Sequence, residues 1–85
     1  MQCRWHPDIQ ALSFELGQHA GRCFVHRRAF QTLLGFAPSS EDCENYFVAQ
    51  YLAFHSAAAA KIVACKLESP ANFHLNSRDI KRSLE

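Results

Sequence analysis

The stretch that decides the fold runs from Ser39 to Leu67 and reads SSEDCENYFVAQYLAFHSAAAAKIVACKL. It holds about a third of the chain, contains neither glycine nor proline, and repeats its apolar residues with helical spacing. We therefore expect one long helix. At about 1.5 Å of rise per residue it would extend roughly 40 Å, which exceeds the width of a small domain. The rest of the chain is expected to pack against it.

Both ends of this predicted helix carry local signals. Pro38 precedes Ser39, and Asp42 follows three residues later, so the two side chains can form a capping box around the first turn. At the other end the pattern stops before Pro70, which disfavours helical geometry in the residue that precedes it.

Two faces emerge when the stretch is drawn as a helix. A bulky stripe suits packing against a sheet and consists of Phe47, Tyr51, Phe54, Ala58, Ile62 and Cys65. The opposite stripe has small side chains and consists of Ala49, Ala53, Ala57, Ala60 and Ala64. We interpret the alanine stripe as a close helix–helix contact, most simply a homodimer across a twofold axis. The alternative is that alanine is present only because it favours helices and tolerates water.

Length and composition narrow the class of protein. Eighty-five residues suit a single domain, 1–85, and a net charge of +1 gives no field that would steer the whole molecule to nucleic acid or anionic lipid. The first eight residues lack the apolar run of a signal peptide. The window 46–65 carries polar residues and a lysine, which argues against a membrane span. We expect a cytoplasmic protein.

The remaining segments predict short elements. Alternation over Ile9–Leu16, with Leu12, Phe14 and Leu16 on one face, indicates a half-buried strand. Gly17–Gly21 is a turn and Arg22–His26 the return strand, so residues 9–26 form a hairpin. Residues 5–8, before the hairpin, are expected to be an irregular lead-in that Trp5 anchors to the core.

Three further elements complete the predicted order. A short helix starts at Arg27 or Arg28 and ends at Leu34, where Gly35 suits the left-handed position. Ala71–Asn76 alternates again as a third strand, and residues 76–79 resemble a cap that opens a terminal helix. The predicted fold is α+β, in the order β-β-α-α-β-α. A small antiparallel sheet, made of the hairpin and one later strand, packs on one long central helix with two short helices. Which hairpin strand pairs with the third strand stays open.

Taken in order, these features resemble a known family. The matching segments are Ala11-Leu12-Ser13-Phe14, Cys23-Phe24-Val25, Ala29-Phe30, Phe47, the alanines at 57–60 with Lys61-Ile62, and residues 73–80. The chain is similar in these segments to the small bacterial domain-of-unknown-function family number fourteen-eighty-eight. It departs at Tyr51, where the family often has an arginine. The resemblance implies a bacterial α+β protein and supplies no established activity, cofactor or catalytic residue.

The positions of the cysteines and histidines suggest a zinc site and a reactive thiol, but the surrounding sequence argues against both. Cys3-x-x-His6 and Cys23-x-x-His26 contain zinc-ligand types, but an offset of three within a strand points Cys23 and His26 to opposite faces. The helix dipole would favour a reactive Cys43 thiolate, while the flanking Asp42 and Glu44 oppose it. We expect free, unreactive thiols at Cys3, Cys23, Cys43 and Cys65, and no metal or cofactor.

Basic residues cluster in segments 22–28 and 78–82. The candidate patch consists of Arg22, Arg27, Arg28, Arg78, Lys81 and Arg82. It would hold phosphates if the two segments met on one face, although no aromatic residue is interleaved and no nucleic-acid motif is present. Separately, Asn72, His74 and Asn76 are expected on the outward face of the third strand, where a small polar ligand could bind.

These observations lead to ranked hypotheses. The first is a non-enzymatic interaction or structural domain that self-associates as a homodimer through its long helix. The alternative is a regulatory protein that contacts nucleic acid through segments 22–28 and 78–82. A thiol or metal enzyme comes last, because no glycine-rich phosphate loop, paired carboxylates or Ser-His-Asp signature is present. The sequence does not decide whether the protein is an enzyme, and it favours that it is not.

Overall fold

The structure, a computed structural model, describes residues 3–17, 19–66 and 72–84. In chain order its elements are β1 (Cys3–His6), β2 (Ala11–Leu16), β3 (His19–His26), α1 (Arg27–Leu34), α2 (Ser40–Ala49), α3 (Tyr51–Cys65), β4 (Phe73–Leu75) and α4 (Ser77–Leu84). The α+β class is confirmed, and so is the antiparallel hairpin, which β2 and β3 form.

The sheet has four strands in the order β1-β2-β3-β4. β1 pairs antiparallel with β2, whereas β4 lies parallel to β3. The predicted sheet was therefore wrong in two respects: its first strand was taken as an irregular lead-in, and its last strand makes the sheet mixed. The parallel pairing answers the open question of strand order. The three helices between β3 and β4 form the crossover that a parallel connection needs.

One face of the sheet carries the core. Alternate residues of the strands point to the helices, and the side chains from β2 to β4 are at most 5% exposed at Leu12, Phe14, Cys23, Val25, Phe73 and Leu75. Three phenylalanines complete the core from the helical side: Phe30, Phe47 and Phe54. Trp5 is half-buried and packs against this cluster, as expected. The helices thus form a second layer on one face of the sheet.

The expected long helix from Ser39 to Leu67 was wrong. Two helices, α2 and α3, take its place and are bent by 85° at Gln50. The reason lies in the core: the rings of Phe47 and Phe54 are 5.2 Å apart, although seven residues of straight helix would separate them by about 10 Å along the axis. A straight helix would also exceed the 33 Å length of the molecule. Leu67 lies outside the described residues.

The predicted helix ends agree closely with the structure. Asp42 N–H donates to the Ser39 hydroxyl at 3.1 Å, and the Asp42 carboxylate accepts from Ser39 N–H at 3.0 Å, so the capping box is confirmed. Gly35 ends α1 with a φ of 82°, in the left-handed region. Asn76 and Asp79 exchange the equivalent pair of hydrogen bonds at the start of α4.

Candidate functional site

The face of the sheet that points away from the core is polar and aromatic. The pairing register places the side chains of Arg4 and His6 on this face, together with Ala11, Ser13, Glu15, Arg22, Phe24, His26 and His74. Five of them are exposed to solvent: Arg4, Glu15, Arg22, His26 and His74. We call this surface the outer sheet face.

A row of four rings crosses the outer sheet face. The centroids of His6 and Phe24 are 5.5 Å apart, as are those of Phe24 and His74. His26 stacks on His74 at 5.0 Å, with an angle of 17° between the ring planes. The row therefore reaches from β1 to β4 and presents flat, partly exposed π surfaces, which are suited to stacking against planar ligands.

Ser13 holds one end of this ring row in place. It lies on the face of β2 that points away from the core, yet it is only 3% exposed. Its hydroxyl is 2.7 Å from His6 Nε2, so the imidazole and the hydroxyl satisfy each other. Phe24 lies opposite Ser13 on β3, and the hydrogen bond fixes the orientation of His6 next to Phe24.

A cleft of about 410 Å³ opens at the carboxyl ends of the parallel strands β3 and β4. Its lining includes His26, Arg28, Lys61 and His74, with Ala29, Thr32, Leu75, Asn76 and Ser77 between them. The amino ends of α1 and α4 also meet there, because each helix starts next to the end of one of these strands. We call this feature the basic cleft. It shares His26 and His74 with the ring row.

Several titratable groups of the basic cleft influence one another. Burial lowers the pKa of His74, and the charges of His26 and Lys61 lower it further. Lys61 Nζ donates to the Asp79 carboxylate at 2.9 Å. Burial raises the pKa of Asp79, but the Asn76 amide and Lys61 more than offset this and hold it below its usual value. Asp79 therefore neutralises Lys61 in part, whereas Arg28 has no carboxylate partner in the part of the chain that the structure describes.

The predicted basic patch is dispersed. Arg22 lies on the outer sheet face, with its Nε 3.4 Å from a Glu15 oxygen. Arg27 lies over the ring of Trp5 at 5.4 Å, which places it beside the core. Only Arg28 enters the basic cleft. The three remaining basic residues belong to α4 and are exposed: Arg78, Lys81 and Arg82. Of the outward residues predicted for the third strand, His74 and Asn76 line the cleft, and the Asn72 side chain accepts from Arg22 N–H.

The predicted alanine stripe is also divided. Ala49 belongs to α2, so it is separated from the other four by the bend. Ala57 is buried and Ala53 half-buried, while Ala60 and Ala64 are exposed. α4 packs closely against α3, and the Lys61–Asp79 ion pair joins the two helices. Part of the alanine face of α3 therefore packs against another helix of the same chain.

The exposed side of α3 carries two large apolar residues. Leu52 is 79% exposed and Val63 is 78% exposed. Eleven residues of helix bring these two positions back to nearly the same angle, and Ser56 and Ala59 lie between them on the same side. We call Leu52, Ser56, Ala59 and Val63 the α3 outer stripe.

The cysteines contribute no clear reactive centre. All four are free, and Cys43 is fully buried. Burial raises the pKa of Cys43 to about 11; Arg27 opposes this, and Asp42 and Glu44 add to it. Burial likewise raises the pKa of Cys23, which faces the core while His26 is exposed, so the predicted opposite orientation is confirmed. Among the described residues, no group of three His, Cys, Asp or Glu side chains could hold a metal ion.

Sequence reasoning missed the ring row. It found no aromatic residue among the basic ones, yet Phe24 lies between Arg22 and His26 with the period of two that places all three on one face. That alternation was available in the sequence. The contribution of His6 was not, since it depends on β1 being a strand and on its register with β2.

No protein-family model matches the chain, and no curated protein or solved structure is significantly similar to it. Within residues 3–17, 19–66 and 72–84, no single helix is long and apolar enough to cross a membrane. α2 and α3 reach the required length only as a pair, bent by 85°.

Proposed function

We propose that the protein is a non-enzymatic interaction domain that forms a homodimer through the α3 outer stripe. The observation that carries this proposal is the exposure of Leu52 and Val63, 79% and 78%, on one side of one helix. Isolated apolar residues on a surface are common, but two large ones aligned along a helix are typical of a contact with another helix. The family resemblance and the cytoplasmic location stay predictions.

A second copy of the chain fits this stripe. If two α3 helices pack antiparallel about a twofold axis at the level of residues 57 and 58, Leu52 lies opposite Val63 of the second copy. Ser56 then lies opposite Ala59 of the second copy, so the contact is complementary to itself. The small central residues let the helix axes approach to about 8 Å, the close end of the usual range. No charged residue belongs to the stripe.

Sedimentation equilibrium at micromolar concentration tests the dimer. We expect a species of twice the 9.7 kDa chain mass. The substitution Leu52→Glu should raise the dissociation constant by about 100-fold or more. Twofold symmetry places the carboxylate at two sites, and each buried charge costs upward of about 1.4 kcal/mol.

Ile9→Glu serves as the matched control, because Ile9 is a large apolar residue that is 45% exposed and lies in the turn between β1 and β2. This variant should remain dimeric. A monomeric wild-type protein, or equal effects of the two substitutions, would contradict the proposal.

A second candidate function, contact with single-stranded nucleic acid, is favoured by the ring row. Bases stack on partly exposed rings of a sheet, and Arg4 and Arg22 flank the row. Fluorescence polarisation of a labelled single strand at low salt should detect binding that Phe24→Ala weakens by about tenfold. Phe36→Ala is the control, since Phe36 is 52% exposed outside the row. Binding that Phe24→Ala leaves unchanged would argue against this function.

A further inference from the structure

The basic cleft brings several basic side chains together in one concave site. Three of its lining residues, Arg28, His26 and His74, carry cationic or protonatable groups without a carboxylate partner among the described contacts, and Lys61 is the fourth basic member. Within residues 3–17, 19–66 and 72–84, no carboxylate belongs to the lining. Cationic groups that converge in one cleft repel each other, and an anion removes that repulsion.

The backbone adds donors on the same side. α1 starts at the cleft, and its cap residue His26 provides no side-chain hydrogen bond to the first-turn amides. The Arg27 amide is already bonded to the Gln10 carbonyl at 2.8 Å. The next amides, of Arg28 and Ala29, belong to residues of the cleft lining. They give an anion directional donors beside the Arg28 guanidinium.

The volume of the basic cleft indicates the size of ligand that it can hold. A volume of about 410 Å³ is at the lower end of the range for small-molecule sites and exceeds what a bare oxyanion needs. The adjoining ring row supplies π surfaces through His74 and Phe24, whose centroids are 5.5 Å apart. A ligand with a doubly charged phosphate group and a planar organic part would use both features.

We propose that the basic cleft binds the phosphate group of a phosphomonoester, with Arg28 as its principal charged contact. Lys61 contributes while it remains paired with Asp79, and the rings of His26 and His74 flank the organic part. Lys61 and Leu52 point to opposite sides of α3. Dimerisation through the α3 outer stripe therefore leaves the cleft accessible. The proposal therefore stands independently of the dimer.

Histidine NMR spectra at pH 7 test the site with three probes: inorganic phosphate, adenosine 5′-monophosphate and adenosine. We expect both phosphate-containing probes to shift the ring signals of His26 and His74 and to raise the pKa of His74. His26 on β3 and Lys61 on α3 oppose the protonation of His74, while Arg28 on α1 lines the same cleft and Asp79 on α4 is paired with Lys61. Tighter binding of the nucleotide than of inorganic phosphate would identify the ring row as part of the site.

Arg28→Gln should weaken the binding of both phosphate-containing probes by about tenfold, the loss of one charge-assisted contact. Arg4→Gln is the matched control for inorganic phosphate, which does not reach the part of the ring row that Arg4 flanks: it removes an exposed arginine from β1, the opposite edge of the sheet, and should change the affinity for inorganic phosphate by less than about twofold. Both residues are exposed, so both variants should fold, which circular dichroism would verify. The proposal is overturned if about 10 mM phosphate produces no shift, if the two variants behave alike, or if adenosine alone reproduces the nucleotide's effect.

Discussion

Individual residues on the outer sheet face show how burial and charge act together. The His74 side chain is exposed overall, yet its partial burial and the nearby cations lower its pKa. The Ser13 hydroxyl and His6 Nε2 form a hydrogen bond of 2.7 Å, which holds His6 in the ring row. The chemistry of this face therefore depends on pairs of residues that are distant in sequence.

The lowered pKa of His74 predicts a pH dependence of stability. The folded state binds fewer protons at this site than the unfolded state does, so His74 contributes stability above the unfolded pKa of about 6.5. This contribution is lost as the pH falls through the folded pKa. Urea unfolding at pH 7.5 and pH 5.5 should show lower stability at pH 5.5, and His74→Gln should reduce the difference. His55, whose pKa burial also lowers, accounts for a part that remains in this variant. An unchanged difference in His74→Gln would contradict the prediction.

At the scale of elements, the bend at Gln50 organises the helical layer. It brings Phe47 of α2 and Phe54 of α3 together with Phe14 of β2, and the three ring centroids are 4.9 to 6.4 Å apart. The same bend directs the α3 outer stripe away from the core. A local break in one helix thus produces both the central aromatic cluster and the proposed dimer contact.

Substitutions at two neighbouring positions of α2 should show which face of this helix is buried at the bend. Phe47→Ala removes a fully buried ring and should cost about 3–5 kcal/mol of unfolding free energy. Val48→Ala, one residue further along and 50% exposed, should change it by less than about 1 kcal/mol. Denaturant unfolding of the two variants measures both. Similar losses would mean that the bend does not orient α2 as described.

At the scale of the whole molecule, helices cover one face of a four-stranded sheet, and no helix or strand among the described residues packs over the outer sheet face or the α3 outer stripe. The two surfaces belong to different layers, so a dimer contact and a ligand contact need not compete. The parallel pairing of β3 and β4 creates the basic cleft, because it places the carboxyl ends of both strands on one side.

Dimerisation should couple stability to protein concentration. If the folded chain pairs through α3, mass action predicts a thermal midpoint that rises with concentration. Calorimetry between about 5 and 500 μM should show this rise for the wild type and for Ile9→Glu. Leu52→Glu should show a midpoint that does not change with concentration. A wild-type midpoint that is also constant would contradict the proposed dimer.

The elements that the sequence predicts well are those with local causes. Ser39 with Asp42, Gly35, and the alternation of β2 each act within a few residues, so the capping box, the end of α1 and the hairpin could be read directly. The candidate site could be predicted only in part. The sequence pointed to His74, Asn76 and Arg28 separately, but it did not bring them into one cleft.

The sequence by itself determined the α+β class, the hairpin, the helix caps and the aromatic residues that form the core. Only the tertiary structure decided the bend at Gln50, the pairing of β1, and the parallel direction of β4. No glycine or proline marks the bend; burial of Phe47 and Phe54 against the same strand outweighs the local preference for a continuous helix. Strand pairing likewise depends on contacts between segments tens of residues apart. For that reason the ring row and the basic cleft exist only once the chain has folded.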